Sequence, residues 1–329
     1  MGEVGITAIH GADMQVLPWN LPPGGVLVAG AGGGFDFLCG LPIVLELERR
    51  GHHVHIANYS FTRLAHVGGG TWHGEHLLEI TADAQLAQGD YFPERLLARW
   101  YRERKSIEQS VWCLAQRGVE PTRCSYDYLV ERLGIQTVIC IDGGVDGLFR
   151  GDKWDLATPS MDSISVMATS LCRACQKIYA CTAFGTEGSE GKVSHAQALA
   201  RMADLVRADA LLGVGTTIRK SEVGRDFLDA VETIFCWLPP LRRSIVVGTL
   251  QAAMLGAYGP TVVHEKTRQQ PPWVSPLTSL IWYFEADAVA RLKLFYESSL
   301  GSTTVEDVAD AVDQARRRSG VKPYESIPI

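Results

Sequence analysis

Two patterns of apolar residues alternate along this chain. Short, continuous aliphatic runs of strand length recur at residues 26–30, 54–58, 137–142, 177–182, 210–214 and 261–264. Between them, apolar residues return every three or four positions in 37–47, 93–117, 124–133, 162–175, 195–207, 223–235, 241–255, 276–298 and 305–318. The first pattern predicts strands and the second amphipathic helices. Strands without polar alternation are buried on both faces, so the alternation predicts an α/β fold, a Rossmann-like, mostly parallel, doubly wound sheet with a helical C-terminal portion. Residues 1–24 read as an irregular extension closed by Pro22-Pro23-Gly24-Gly25, and residues 25–329 as a single domain, because neither a repeat nor a long Pro/Ser-rich linker interrupts them.

The first strand runs into Gly30-Ala31-Gly32-Gly33-Gly34-Phe35-Asp36. Glycines at a strand-to-helix turn let a ligand, often a phosphate, approach exposed backbone N–H groups. A dinucleotide site asks for a third glycine where this chain has Phe35, and for an acid closing the second strand where it has Asn58. A standard nicotinamide site is therefore disfavoured, and no phosphate-binding loop of the G-x-x-x-x-G-K-[ST] type is present. Asp36 either serves the first turn of a helix or faces the glycine turn as a general base or metal ligand.

Sheets of this class hold their ligands at the carboxyl ends of the strands. The second strand ends near Asn58 and Ser60. The third run leads into Asp142-Gly143-Gly144-Val145-Asp146-Gly147 and on to Asp152. Three acids on one glycine-rich loop exceed what a turn requires and suit a hard cation or sugar hydroxyls, although the spacing is not that of a calcium-binding EF-hand loop. The last run leads to Glu265-Lys266-Thr267-Arg268, where Arg268 is a candidate clamp for a carboxylate or phosphate. His195, at a helix start, is a candidate acid/base. The catalytic candidates are thus Asp36, Asp142, Asp146 and His195. The ligand-binding candidates are Gly30, Gly32, Gly33, Gly34, Asn58, Ser60, Gly143, Gly144, Asp152, Thr267 and Arg268.

Other constellations point to structure. Cys172-Arg173-Ala174-Cys175 falls in a helical pattern without a second pair, which speaks against zinc. There is no G-x-S-x-G elbow. His52, His53 and His55 sit at the entry to the second strand, away from its carboxyl end, and Trp282-Tyr283-Phe284 reads as helix core. A net charge of −6 argues against nucleic-acid and anionic-membrane partners, and Arg316-Arg317-Arg318 reads as a solvated helix end. Eight irregularly spaced cysteines, no signal-peptide pattern and no long apolar run lead to the expectation of a cytoplasmic protein. A small-molecule substrate is the expected partner, and homo-oligomerisation is left open.

After residue 24 the chain resembles, over nearly its whole length, the family catalogued as domain of unknown function 1152 (DUF1152). The resemblance is carried by Val28-Ala29-Gly30-Ala31-Gly32-Gly33-Gly34-Phe35-Asp36, Ala57-Asn58-Tyr59-Ser60-Phe61-Thr62, Tyr91-Phe92-Pro93-Glu94 and Arg99-Trp100. It continues through the loop from Asp142 to Asp152, Thr158-Pro159, Asp162, His195-Ala196, Thr267-Arg268 and Ser275-Pro276-Leu277 with Trp282 to Phe284. Where this chain has Gly147 and Lys153 the family usually has a serine and an acid, so no role is carried over to those two. The resemblance implies a Rossmann-like fold and supplies no reaction. The residues themselves lead to an enzyme acting on a polar small metabolite (phosphorylated, nucleotide-linked or carboxylated) by acid/base or Mg²⁺-assisted group transfer or hydrolysis. The alternatives are an oxidoreductase with an atypical nicotinamide site and a non-catalytic ligand-binding protein.

Overall fold

A computed structural model describes residues 15–86, 91–152, 159–187, 194–320, 322, 323 and 325. Of the N-terminal extension only residues 15–24 fall within it, and Lys153 and Thr158 lie outside the described residues. In chain order the elements begin with β1 (Gly25–Gly30), α1 (Asp36–Cys39), α2 (Leu41–Arg49), β2 (Val54–Tyr59), β3 (Thr71–Trp72), β4 (Leu77–Ile80), α3 (Pro93–Trp100) and β5 (Val111–Leu114). There follow α4 (Val119–Leu133), β6 (Ile135–Asp142), α5 (Pro159–Leu171), β7 (Gln176–Cys181), α6 (His195–Arg207), β8 (Leu211–Thr216), α7 (Glu222–Cys236) and α8 (Ile245–Met254). The chain closes with β9 (Gly259–Pro260), β10 (Trp273–Val274), β11 (Leu280–Glu285), α9 (Ala286–Arg291), α10 (Tyr296–Ser299) and α11 (Val305–Ser319).

Nine strands form one mixed, mostly parallel sheet in the order β3-β4-β5-β2-β1-β6-β7-β11-β8. The run from β5 to β7 is parallel, whereas β4 is antiparallel to β5, and β11 is antiparallel to both of its neighbours. From β1 the chain first moves one way, to β2 and β5, and later the other way, to β6 and β7. The gap beyond the carboxyl ends of β1 and β6 is therefore uncovered by either crossover, and such a gap is where open α/β sheets keep their ligands.

Alternating side chains of β1 explain the layers. Val26 and Val28 join one buried core with α2, α3 and α7, while Leu27 and Ala29 join another with α4, α5, α9 and α11. The extension is anchored rather than free-standing. Val16 and Leu17 are buried, and their N–H groups donate to the carboxylate of Glu46 at 2.8 and 2.9 Å. Arg50 pairs with Glu46 and donates to the carbonyls of Leu17 and Trp19, so the buried acid is neutralised by the cation that ties down the same segment. Among the described residues no helix is long and apolar enough to cross a membrane.

Three sequence expectations change. The stretch 93–117 holds α3, a following wide helical turn and then β5, because Ser106 takes a left-handed conformation that ends the helix. The stretch 276–298 holds β11, so Trp282, Tyr283 and Phe284 sit in a buried strand, not a helix. Both segments are short apolar runs buried on two faces, for which periodicity does not separate helix from strand. Residues 261–264 form no strand. They lead into a tight turn, Glu265–Thr267, capped by His264, whose Nδ1 accepts the N–H of Lys266. The Cys172/Cys175 pair lies just past α5, and both thiols are free.

Candidate active site

The loop after β1 meets the loop after β6 at the strand crossover. Ala31 N–H donates to Ile141 carbonyl at 2.9 Å, which carries the glycine turn alongside Asp142. Gly33 and Gly34 adopt positive φ values of 94° and 60°, a conformation that side chains disfavour, and the turn folds back so that Gly32 N–H donates to Asp36 Oδ2 at 2.6 Å. Asp36 thereby points inward at the start of α1. Asp142, at the end of β6, accepts Gly147 N–H at 2.8 Å and the Tyr179 hydroxyl at 2.6 Å. From α5, Asp162 completes a cluster with Asp36 and Asp142, one carboxylate oxygen of each lying within 4.8 Å of the other two. Asp146 and Glu187 line the same cleft, and Glu187 accepts Val145 N–H.

Among the described residues, these five acids face one buried counter-charge. Lys293 donates to the carbonyls of Gly147 and Phe149 and is buried beneath the loop that carries Asp142 and Asp146. Desolvation pulls its pKa down to about 8 against the opposing pull of Asp162, Asp142 and Asp146. Burial, and then the charge of Asp142, hold the Asp36 carboxyl well above the usual range. Burial also raises Asp142, where Tyr179, Gly147 and Lys293 oppose the shift. Asp146 is pushed up to about 7 by burial and by Asp142, and Glu187 is raised by burial, Asp146 and Asp142. The charge deficit and the all-oxygen donor set fit a hard divalent cation, for which Asp36, Asp142 and Asp162 are the ligands in reach.

A second buried polar group braces the glycine turn from below. Asn58 Nδ2 donates to Gly34 carbonyl at 3.2 Å and to Glu94 Oε1 at 2.8 Å, while Ser60 and Thr62 also bond Glu94. Glu94 is buried, and its carboxyl is raised by that burial. Asn58→Asp, which would install the acid of a dinucleotide site, removes both donors and sets two buried carboxyls together. A loss of about 3 kcal/mol in stability is expected, read from the shift of the urea midpoint at neutral pH. An unshifted midpoint would contradict the bracing role.

The cleft above the cluster has a volume of about 430 Å³ and is lined in part by the turn from Gly32 to Asp36, Asp142, Gly143, Asp146, Asp162 and Glu187. Thus Asp36, Asp142, Asp146, Gly32, Gly33, Gly34 and Gly143 lie at one site. Gly144 abuts Glu187, and Gly30 packs against Asn58 and the start of α1. The structure does not bring the remaining candidates there. His195 packs on Phe184, and burial lowers its pKa. Asp152 pairs with Lys322, and Arg268 is exposed beside Glu265. Thr267 is buried and donates to His264 carbonyl, while Asn58 and Ser60 lie below the turn with Glu94. The sequence reading missed Glu187, Tyr179, Lys293, Arg242 and Lys266 as site residues, and it noted Asp162 only as part of the family pattern. Asp162 opens a helix and offers an acid in its first turn, but that signal is shared by many helices.

A family model described as "Protein of unknown function (DUF1152)" matches residues 27–321. The chain belongs to that family. No curated protein and no solved structure matches it. The match spans every element that builds the cleft of this DUF1152 chain.

The raised carboxyls give this DUF1152 site a pH signature. Asp146 has an ordinary value of 3.8 and a folded value of about 7. The folded state therefore binds the extra proton in that window, so the contribution of Asp146 to stability is fully present below pH 3.8 and is lost as pH rises to about 7. In metal-free buffer Asp146→Asn should melt above the wild type at pH 8, and the gap should close as pH falls towards 4. A gap that is constant with pH, measured by calorimetry of both proteins, would contradict the crowded-acid description.

Proposed function

We propose that this protein is an enzyme that carries out cation-assisted hydrolysis or group transfer on a small, anionic, polar metabolite bound in the cleft between the loops after β1 and β6. The observation that carries this reading is a single cleft lined both by Asp36, Asp142, Asp146, Asp162 and Glu187 and by a basic lip of Arg242, Arg243 and Lys266. The parallel order β5-β2-β1-β6-β7, with its reversal beside the glycine turn, supports a Rossmann-like fold with the ligand at the crossover.

Asp36, Asp142 and Asp162 would hold the cation, with Mg²⁺ the favoured ion, and the glycine turn would let the substrate approach them closely. A divalent cation at that point polarises a substrate oxygen and offsets charge developing on it. Asp146 lines the same cleft, and a carboxyl pushed up to about 7 exchanges a proton readily at neutral pH, which suits general acid/base work. Tyr179 fixes the orientation of Asp142 by donating to its Oδ2, and Lys293 fixes the loop backbone and moderates the charge. The nicotinamide alternative has less support, because Phe35 is buried at the third-glycine position and Asn58 is spent on Gly34 and Glu94. A cytoplasmic location accords with eight free cysteines. The experiment is a screen of phosphorylated, carboxylated and nucleotide-linked metabolites with Mg²⁺ or Mn²⁺, with EDTA as control. Turnover that requires the cation supports the proposal, and turnover that persists in EDTA overturns it.

A further inference from the structure

The basic lining of the cleft has its own construction. The turn Pro240–Arg242, set by Pro239-Pro240, packs against the turn Glu265–Thr267, and this packing presents Arg242 and Lys266 to the same cleft from two distant parts of the chain. Arg243 beside them is committed, its Nε donating to Phe235 carbonyl at 2.9 Å. Arg242 and Lys266 have no side-chain hydrogen bond and no ion pair among the described residues, although acids line the same cleft. The positive charge of Arg242 is felt at Tyr91, also in the lining of the cleft, where it opposes the effect of burial on that phenol. The ten-residue helix α8 starts at this lip. Ser244 caps it by accepting Val247 N–H, which leaves the N–H groups of Ile245 and Val246, both cleft-lining, with no partner inside the helix.

We propose that this lip is the anchor for a phosphate group, so that the substrate class is a phosphorylated small molecule whose phosphate sits on Arg242 and Lys266. The inference deepens the function proposed above and rests on it for the acids, but the anchor itself rests on the lip. A guanidinium, an ammonium and the amino end of a helix, converging from different directions, match a tetrahedral dianion with several acceptor oxygens. A carboxylate group is flat, with two acceptor oxygens and one charge, so even a dicarboxylate such as succinate must span two groups to meet cations that a single phosphate meets together. The five acids of the cleft repel a bare phosphate and so favour its seating on the cations, while a cation held by carboxylates is commonly shared with substrate phosphate. The cleft volume of about 430 Å³ suits a small metabolite rather than a polymer, and Phe61, Leu241 and Val246 give its organic part an apolar surface.

Calorimetric titration of the full chain with inorganic phosphate, with and without Mg²⁺, tests the anchor, with succinate as the carboxylate probe. Arg242 and Lys266 are both exposed, so the double variant Arg242→Gln/Lys266→Gln should fold, as circular dichroism would verify. Phosphate should bind the wild type at least about tenfold more tightly than succinate, and the double variant should lose at least about tenfold in phosphate affinity. Its Mn²⁺ affinity should stay within about twofold of the wild type. Absence of phosphate binding, equal affinity for succinate, or undiminished phosphate binding by the double variant would overturn the inference. Phosphate binding at the lip of a protein that binds no Mn²⁺ would leave the anchor standing and remove the cation-assisted reading. Mn²⁺ binding without phosphate binding would do the reverse.

Discussion

Asp142→Asn is expected to abolish turnover and, in the same molecule, to raise the melting temperature of the metal-free protein. The two effects have one cause. Asp142 is buried among Asp36, Asp146, Asp162 and Glu187, and its charge raises the carboxyls of Asp36, Asp146 and Glu187. An amide at this position keeps an oxygen for Gly147 N–H and the Tyr179 hydroxyl but removes the negative charge. The metal-free fold gains because a like-charge contact disappears. Cation affinity falls by about 100-fold or more, and turnover by about 10³-fold, because a ligand and the charge that draws the cation are both lost. Such opposite signs are the mark of a site that is retained for function at a cost in stability. A variant that is less stable and binds Mn²⁺ as well as the wild type would show that Asp142 serves only to hold its loop.

Gly32→Ala is expected to have an effect of similar size by a different route. A methyl group at Gly32 would lie inside van der Waals contact with Asp162 Oδ1 and 2.9 Å from Asp36 Oδ2. The two carboxyls must then part, or the turn must move, and either change dismantles a cluster in which one oxygen of each acid lies within 4.8 Å of the other two. Overpacking of this kind costs about 1–3 kcal/mol of stability, and a displaced ligand pair lowers cation affinity by about 10–100-fold. Gly301→Ala is the matched control, since a methyl there meets open space. Both variants are compared by Mn²⁺ titration and by thermal melting. Equal Mn²⁺ affinity in the two would remove the close approach of the glycine turn from the account.

Much of the framework is legible in the chain. β1, β2, β6 and β7 are short, mainly apolar runs, and the Gly30–Asp36 and Asp142–Gly147 segments follow two of them directly. Local order in sequence thus becomes proximity in space, because β1 and β6 pair in register. The antiparallel insertion of β11 between β7 and β8 was not legible, since a central strand with both faces buried has no period of its own. The site divided in the same way. Asp36, Asp142 and Asp146 stand on loops whose composition announces them. Asp162, Glu187 and Lys293 reach the cluster only through the packing of α5, of the segment after β7 and of the turn after α9, and no local pattern marks them. The sequence offers Arg268 as a clamp, but the turn capped by His264 brings Lys266 to the cleft and leaves Arg268 beside Glu265.

The central claim, that the acids at the β1/β6 crossover form a cation site, is tested most directly by titrating metal-free protein with Mn²⁺ and following the free ion by electron paramagnetic resonance. The account predicts saturable binding that strengthens as pH rises through the titration of the raised carboxyls, is displaced by Mg²⁺ and is lost in Asp36→Asn/Asp142→Asn. Absence of saturable binding, or binding of the same strength in the double variant, would contradict it.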